Sequence, residues 1–304
     1  MNKLILAGGT GFLGQAIIRR FRSSFSEIVV LSRGRERTDK NVRYLHWDGK
    51  TPGKWTEEMD GCDVLINLTG KSVDCRYTEE NKAEIISSRV NATKVLGEAV
   101  KNAQDPPKIW MNAASATIYR HAEDTVQDEF SGEIGEGFSV NVCQVWEKAF
   151  TDVFLTKTKK ITLRISMVMG KGGGVFPVMS KLVRAGLGGK MGDGKQFISW
   201  IHEEDFLRIL EWFIAQEIKE GAYNIAAPEP VRNKDFMRLM REHLHVRIGL
   251  PASAWMLEIG ALFIRTETEL ILKSRRVAPT RLLKEGFEFR FPDADSAIKD
   301  LSNA

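Results

Sequence analysis

The chain begins with the stretch Lys3-Leu-Ile-Leu-Ala-Gly-Gly-Thr-Gly-Phe-Leu-Gly14, and this stretch decides the fold. Its apolar run Leu4–Ala7 predicts a buried parallel strand, and the residues from 12 to 22 have the apolar spacing of a helix. Glycines at positions 8, 9, 11 and 14 fill the turn between the two elements. A strand, a glycine turn and a helix in this order are the context in which such glycines bind a dinucleotide.

The glycines of this turn have distinct expected roles. Gly8 and Gly9 permit a backbone with positive φ. Gly11 has no side chain to keep a pyrophosphate from the backbone, and Gly14 lets the helix pack close to the strand. The free N–H groups and the positive dipole end of the helix then attract the phosphates. We therefore predict a cofactor-binding segment that contains Gly8, Thr10, Gly11, Phe12, Leu13 and Gly14.

The second predicted strand, 27–31, is followed by Ser32 and Arg33. An NAD-binding enzyme usually has an acidic residue at this place, where it binds the ribose 2′-hydroxyl. A hydroxyl and a guanidinium suit a 2′-phosphate instead. The sequence therefore favours NADP over NAD as the cofactor, and the alternative is that Arg33 is a solvated loop residue.

The rest of the chain continues the alternation of strands and helices. Strands are predicted at 42–47, 64–68, 109–114 and 162–169, and the stretch 222–231 begins as a further strand that its two prolines stop. Helices are predicted at 79–102, 137–156, 203–215, 233–243 and 252–264. This alternation is typical of an α/β fold with a doubly wound parallel sheet of the Rossmann type. We expect an NADP-binding domain formed by 1–169 plus 201–227. A smaller, mainly helical C-terminal domain on the substrate side is then formed by 170–200 plus 228–304.

The composition excludes several classes of protein. Of the 304 residues 43% are hydrophobic and 28% charged, which is typical of a globular chain. The net charge of +4 is too balanced to favour a nucleic-acid partner. Three cysteines without metal-ligand spacing suit a reducing compartment, and no apolar run has the length of a signal peptide or a membrane span. We expect a cytoplasmic protein, monomeric or homodimeric, with no metal and no membrane association.

Several segments together resemble one family over nearly the whole chain. They include Gly8–Gly14, Ser32-Arg33, Asn67-Leu-Thr-Gly70, Trp200-Ile-His202 and Gly286-Phe-Glu-Phe-Arg-Phe-Pro292. They resemble the epimerase-like branch of the extended short-chain dehydrogenases, which carries a small C-terminal domain of unknown role. The resemblance implies that NADP contacts Ser32, Arg33, Leu68, Thr69, Gly70, Glu84, Arg89 and Met167. From spacing alone, Glu84 and Arg89 fit a solvated helix face equally well.

The same resemblance bears on catalysis. Ser115, in Ser115-Ala-Thr-Ile-Tyr119, stands where related epimerases have a catalytic serine whose hydroxyl binds a reacting oxygen. The family's Tyr-x-x-x-Lys pair, which supplies the general acid and base, is replaced by Ser139 and Cys143. Neither residue can do that work. Tyr119 or a water molecule is the remaining candidate for the acid.

The segment from 192 to 205 resembles the substrate-side segment of the extended enzymes, so Gln196, Trp200 and His202 are expected to contact a substrate. A metal site at His202 and Asp205 lacks a third ligand. The basic cluster Lys273, Arg275 and Arg276 is interpreted as a solvated face rather than an anion site.

Two functions follow from these observations. One is an NADP-dependent oxidoreductase or epimerase-like enzyme whose small substrate, a nucleotide-linked or other carbonyl or hydroxyl compound, is unknown. The other is a non-catalytic NADP(H)-binding sensor or partner scaffold.

Overall fold

The computed structural model describes residues 1–253, 255–258 and 269–303. Its strands are β1 (Lys3–Ala7), β2 (Glu27–Ser32), β3 (Arg37–Asp39), β4 (Val42–His46), β5 (Val64–Asn67), β6 (Ile109–Ser115), β7 (Lys159–Ile165), β8 (Met167–Gly170), β9 (Gly173–Gly174), β10 (Phe197–Ile198), β11 (Trp200–His202), β12 (Gly221–Ile225) and β13 (Val231–Arg232). Its α-helices include α1 (Phe12–Phe21), α2 (Glu79–Asn102), α3 (Phe138–Thr151), α4 (Phe176–Leu182), α5 (Glu203–Ala215), α6 (Asn233–His243), α7 (Glu269–Leu272), α8 (Thr280–Lys284) and α9 (Ala294–Ser302). The helix predicted over 252–264 extends outside the described residues.

The main sheet has eight strands in the order β12-β7-β6-β5-β1-β2-β4-β3. Neighbouring strands are parallel except β3, which pairs antiparallel with β4. The chain runs outward from β1 to β2 and β4 and then returns to place β5 on the other side of β1. This topology confirms the predicted Rossmann-type fold. The order reverses at β1, so a ligand is expected at the carboxyl ends of β1 and β5.

Both faces of the sheet are covered, which explains why β1 is apolar at every position from Leu4 to Ala7. Successive side chains of a strand point to opposite faces. Leu4 and Leu6 pack in one cluster with residues of α1 and α5, whereas Ile5 and Ala7 pack in a second cluster with residues of α2 and α3. A strand that is buried on both faces needs no polar alternation.

The strand predicted at 162–169 is two strands in the structure. Ser166 separates β7 from β8, and its N–H and hydroxyl both donate to the carbonyl of Ile225, at 3.0 and 2.8 Å. Beyond this break β8 leaves the main sheet and pairs with β11 and β9. The sequence gives no sign of this break because the bonding partner lies about 60 residues away.

A smaller lobe surrounds its own apolar cluster, which includes Trp200, Phe236, Met240 and Ile298. The C-terminal part of the chain does not pack on this lobe alone. Leu282 and Phe287 belong to the same cluster as Leu4 and Leu6 of the main sheet. Residues from the last part of the chain therefore complete the core of the Rossmann half.

Among the described helices, none combines the length and the apolar character that crossing a bilayer requires.

Candidate functional site

Two glycines of the turn after β1 are required by the fold itself. Gly8 has a φ of +76°, and a Cβ there would lie 3.0 Å from the backbone of Thr69. A Cβ on Gly14 would lie 2.4 Å from the backbone of Gly9. The first turn of α1 therefore packs directly on the glycine turn. The sequence analysis expects Gly14 to approach the strand, and the contact in the structure is with Gly9, just after β1.

Gly11 differs from these two because nothing in the protein requires a glycine there. Its φ of −80° and ψ of −177° are open to any residue. A Cβ on Gly11 would meet no atom within 4 Å. Gly11 is also the N-cap of α1, with no side-chain cap and no acidic residue in the first turn. The N–H groups at this helix end thus face open space beside Gly11, which fits a phosphate.

The carboxyl end of β2 carries the two residues that favour NADP. Ser32 is buried, and its hydroxyl accepts a bond from the N–H of Gly34 at 3.4 Å. Arg33 is exposed, and it forms no ion pair with any residue that the structure describes. Its guanidinium is therefore available to a phosphate.

The turn after β5 lies against the glycine turn and is fixed by a buried amide. Asn67 is fully buried; its Oδ1 accepts the N–H of Thr69 at 3.0 Å, and its Nδ2 donates to Asn112 Oδ1 at 2.7 Å. The hydroxyl oxygen of Thr69 is buried without a hydrogen-bond partner among the described residues. Buried hydroxyls are normally paired, so this atom fits a site that a ligand's polar group completes.

The predicted residues Gly70, Glu84 and Arg89 come together around Lys71. A Cβ on Gly70 would lie 2.9 Å from Cζ of Arg89, so any larger residue there would have to displace the guanidinium. Arg89 Nη1 donates to the carbonyls of Lys71 and Ile85, both at 2.9 Å, and burial lowers the pKa of Arg89. The ammonium of Lys71 pairs with Glu84 and lowers the pKa of that carboxyl. This arrangement holds the turn after β5 against α2.

The other predicted cofactor residues line the start of α1 and β8. Thr10 is exposed in the turn, and Leu13 packs on the main core. The ring of Phe12 packs so tightly on β9 that a Cβ on Gly173 would lie 2.3 Å from it. Met167 is half-buried at the first position of β8, where it pairs with Trp200 of β11.

Ser115 ends β6 and keeps a half-buried hydroxyl. The hydroxyl donates to Thr117 Oγ1 at 3.0 Å and accepts the N–H of Thr117 at 3.2 Å. Both bonds lie within one short turn. Rotation of the Ser115 hydroxyl therefore replaces its bond to Thr117 Oγ1 with a bond to a ligand.

The hydroxyl of Tyr119 is buried and hydrogen-bonded within the protein. The side chain is 1% exposed, and burial raises its pKa. The hydroxyl donates to Asn224 Oδ1 at 3.0 Å and accepts from Arg164 Nη1 at 2.8 Å. Arg164 in turn forms two bonds of 2.8 Å with Glu147. This buried network argues against the acid role expected from the sequence.

Ser139 and Cys143, the two residues that the sequence analysis places at the family's Tyr-x-x-x-Lys pair, are both in structural surroundings. Cys143 is buried, and burial raises the pKa of its thiol to about 12. Ser139 donates its hydroxyl to Glu269 Oε2 at 3.0 Å, and Lys273 Nζ lies 3.4 Å from Glu269 Oε1. Glu269 carries no signal of this role in the sequence, because a charged residue of ordinary surface type does not reveal a contact with a residue 130 positions away.

The three residues expected on the substrate side are buried instead. Gln196, Trp200 and His202 are 3%, 1% and 6% exposed. The side-chain nitrogens of Gln196 and Trp200 donate to main-chain carbonyls at 2.9 and 3.1 Å. His202 caps α5 by accepting the N–H of Glu204 at 3.0 Å, and burial lowers the pKa of its ring. Gln196 Oε1 and His202 Nε2 are also buried without a hydrogen-bond partner among the described residues. Contact of these residues with a substrate therefore stays a prediction.

The reversed strand order, the glycine turn and the open helix end define a dinucleotide-binding protein of the Rossmann class. The model of the NAD-dependent epimerase/dehydratase family matches residues 4–226, and a domain of unknown function, DUF1731, matches 252–301. The chain belongs to the NAD-dependent epimerase/dehydratase family.

Relatives of similar length are found in bacteria and in human. The Bacillus subtilis epimerase family protein YfhF is 30% identical over 303 residues, covering 98% of this chain and 97% of the relative. The human epimerase family protein SDR39U1 is 29% identical over 302 residues, covering 98% and 99%.

Solved structures agree with the fold. The human SDR39U1 structure with NADPH has a TM-score of 0.87 at 27% identity and covers 99% of both chains. A nucleoside-diphosphate sugar epimerase from Corynebacterium glutamicum has a TM-score of 0.77 at 27% identity, covering 99% of this chain and 58% of that one.

Proposed function

We propose that the protein is an NADP(H)-dependent oxidoreductase or epimerase-like enzyme that acts on a small carbonyl or hydroxyl compound. The observation that carries the proposal is the open space at Gly11, where the protein has no need of a glycine but a pyrophosphate does. The NADPH in the human relative supports the same cofactor. Arg33 supports NADP over NAD, because its exposed guanidinium suits a 2′-phosphate.

Three parts of the chain would hold the cofactor. The first turn of α1 receives the pyrophosphate through its N–H groups, and Ser32 and Arg33 receive the 2′-phosphate. Thr69 supplies its buried hydroxyl to a ribose hydroxyl on the nicotinamide side. When bound, the nicotinamide supplies hydride chemistry, which these side chains lack.

Ser115 is the residue proposed to bind the reacting oxygen of the substrate. Its hydroxyl gives up the bond to Thr117 and donates to a carbonyl or hydroxyl oxygen. Because the hydroxyl of Tyr119 is occupied by Asn224 and Arg164, we assign the proton exchange to water.

The test is NADPH oxidation, followed by absorbance, against a panel of small aldehydes, ketones and nucleotide-linked sugars. Ser115→Ala is expected to lower kcat/KM by about 10- to 100-fold, because one hydrogen bond to a developing charge is lost. Thr117→Val is the matched control, since it removes the other hydroxyl of the turn and leaves Ser115. Full activity in Ser115→Ala would contradict the role of Ser115.

A second candidate is a non-catalytic NADP(H)-binding sensor or scaffold. It is favoured by Ser139 and by Cys143, whose thiol stays protonated at neutral pH. This candidate requires NADPH binding without turnover, and a partner whose affinity changes when NADPH binds. Because coupling between sites is reciprocal, equal partner affinity with and without NADPH would remove it.

The proposal includes the cytoplasm as the compartment, because Cys62, Cys75 and Cys143 are all free thiols. It also includes a monomer or a homodimer, which light scattering on the purified protein distinguishes.

A further inference from the structure

One guanidinium in the C-terminal part of the chain has a buried edge without a partner. Nε and Nη2 of Arg275 are both buried, and neither has a hydrogen-bond partner among the described residues. Burial also lowers the pKa of Arg275. The interpretation of this basic cluster as a solvated face is therefore corrected for Arg275. A buried donor that stays unpaired carries its full desolvation cost, so this edge calls for a partner.

The shape of the open edge indicates what the partner is. Arg20 holds Glu211 through the same two atoms, with Nε and Nη2 at 2.7 and 2.9 Å from the two carboxylate oxygens. Arg164 holds Glu147 in the same way, with both distances at 2.8 Å. A planar guanidinium fork matches two oxygens of a carboxylate or a phosphate. Nε and Nη2 of Arg275 form the same edge of a guanidinium, and it is buried without a protein partner among the described residues.

The surroundings of Arg275 favour a negatively charged ligand. Glu269 is near enough for its charge to act on Arg275, but its two oxygens are held by Ser139 and Lys273. Arg275 and Lys273 both also act on buried Cys143, which stands at the lysine position of the family's pair. Glu147 and Arg89 act on Cys143 as well. The positive groups are then Arg89, Lys273 and Arg275, the negative groups are Glu147 and Glu269, and one positive charge is in excess.

The backbone of Arg275 is anchored before any ligand arrives. Its N–H donates to the carbonyl of Phe197 at 2.9 Å, and its carbonyl accepts the hydroxyl of Ser199 at 2.6 Å. The next residue, Arg276, has its guanidinium over the ring of Phe197 and donates from Nη1 to the carbonyl of Asp124 at 2.5 Å. Its Nε is buried without a partner among the described residues, but its Nη2 is not, so it does not present the two-atom edge of Arg275. Anchoring of this kind reduces the cost of ordering a binding group. It also makes Arg276 a matched control for Arg275.

We propose that the Nε/Nη2 edge of Arg275 binds a forked oxyanion of the substrate, a carboxylate or a phosphate, next to Ser139 and Glu269. The inference rests on the proposed function, since it specifies the substrate class of that enzyme as anionic carbonyl or hydroxyl compounds. It also gives the C-terminal domain a role, which is to bring the substrate-binding charge to the cofactor half.

The test measures anion binding by calorimetry to the full chain saturated with NADP⁺, which occupies the phosphate-binding helix end and Arg33. The probes are malonate, inorganic phosphate and uncharged malonamide. We expect malonate or phosphate to bind and malonamide not to bind; which anion binds more tightly distinguishes a carboxylate from a phosphate. Arg275→Met should weaken anion binding at least about tenfold, and Arg276→Met should change it less than about twofold. Glu269→Gln should strengthen it by about threefold, because one repelling charge is removed.

Each other outcome has a definite meaning. Equal binding of malonamide and malonate, or equal loss in Arg275→Met and Arg276→Met, would overturn the inference. A protein that binds NADPH but neither anion would also overturn it while leaving the proposed function intact, whereas failure to bind NADPH refutes that function. If Arg275→Met does not fold, Arg275→Lys keeps the charge without the fork. Unchanged anion affinity in Arg275→Lys would then contradict the bidentate geometry.

Discussion

Two single alanine substitutions at the start of α1 should distinguish a glycine needed for cofactor binding from a glycine needed for folding. The variants are Gly11→Ala and Gly14→Ala. Both positions lie at the start of α1, and both changes add the same Cβ. In Gly11→Ala the new Cβ meets no atom within 4 Å. In Gly14→Ala the new Cβ lies 2.4 Å from the backbone of Gly9.

The structure sets different magnitudes for the two variants. At Gly11 the backbone is ordinary, so stability should change by no more than the N-cap preference, about 1 kcal/mol or less. The methyl group displaces a phosphate from a backbone N–H. A hydrogen bond to a charged group contributes about 1.5–3 kcal/mol, so NADPH binding should weaken about 10- to 150-fold. At Gly14 the contact is with backbone that cannot move aside, and overpacking should cost about 1–3 kcal/mol or more.

Two measurements on each variant are sufficient. Urea denaturation without cofactor gives the free energy of unfolding, and calorimetry gives the NADPH affinity. Gly11→Ala should lose affinity at nearly wild-type stability, whereas Gly14→Ala should lose stability. If Gly11→Ala binds NADPH as tightly as the wild type, the space beside Gly11 does not hold a phosphate and the reasoning fails.

Three further predictions concern other side chains. Arg33→Gln should weaken NADPH binding by about tenfold or more and leave NADH binding unchanged in fluorescence titrations, because a charged contact to the 2′-phosphate is lost; equal loss for both cofactors would contradict this. Tyr119→Phe should lower the free energy of unfolding by about 1–3 kcal/mol, since Asn224 and Arg164 lose a buried partner, with NADPH affinity unchanged. The lowered pKa of buried His202 means that the unfolded chain takes up a proton below about pH 6.5 while the folded protein resists it. Stability should therefore fall as the pH drops from 7 toward 5, by up to about 1.4 kcal/mol per pH unit, and His202→Asn, which keeps a cap acceptor, should remove this part of the slope in denaturation curves measured across that range.

The Rossmann half was predictable because its signals are local. Four apolar residues in a row from Leu4 to Ala7 fit a strand covered on both faces, and the glycines after it have few other uses. The break at Ser166 was not predictable, because it depends on Ile225, a partner supplied by another strand. The short edge strand β3, Arg37–Asp39, has only exposed positions and so carries no apolar pattern.

In the candidate site, too, some residues could be placed from local sequence signals and others could not. Gly11, Arg33 and Thr69 lie at the carboxyl ends of adjacent strands, and strand order alone places them together. Tyr119 appeared free for chemistry because its partner Asn224 is 105 residues away. Arg275 has the composition of a solvated face, and its burial depends on contacts with distant parts of the chain. The hydropathy of a residue gives the polarity of its side chain but does not show which other residues pack over it.

The position of Leu282 and Phe287 in the main core has a consequence for synthesis on the ribosome. After β12 emerges, about 60 more residues must be added before these two side chains can close the core, which takes about 3–12 s at ordinary elongation speed. During that interval the nascent chain has its glycine turn and Arg33 but lacks Glu269 and Arg275. On the functions proposed above, the residues for the cofactor are therefore synthesised before the residue that binds the substrate.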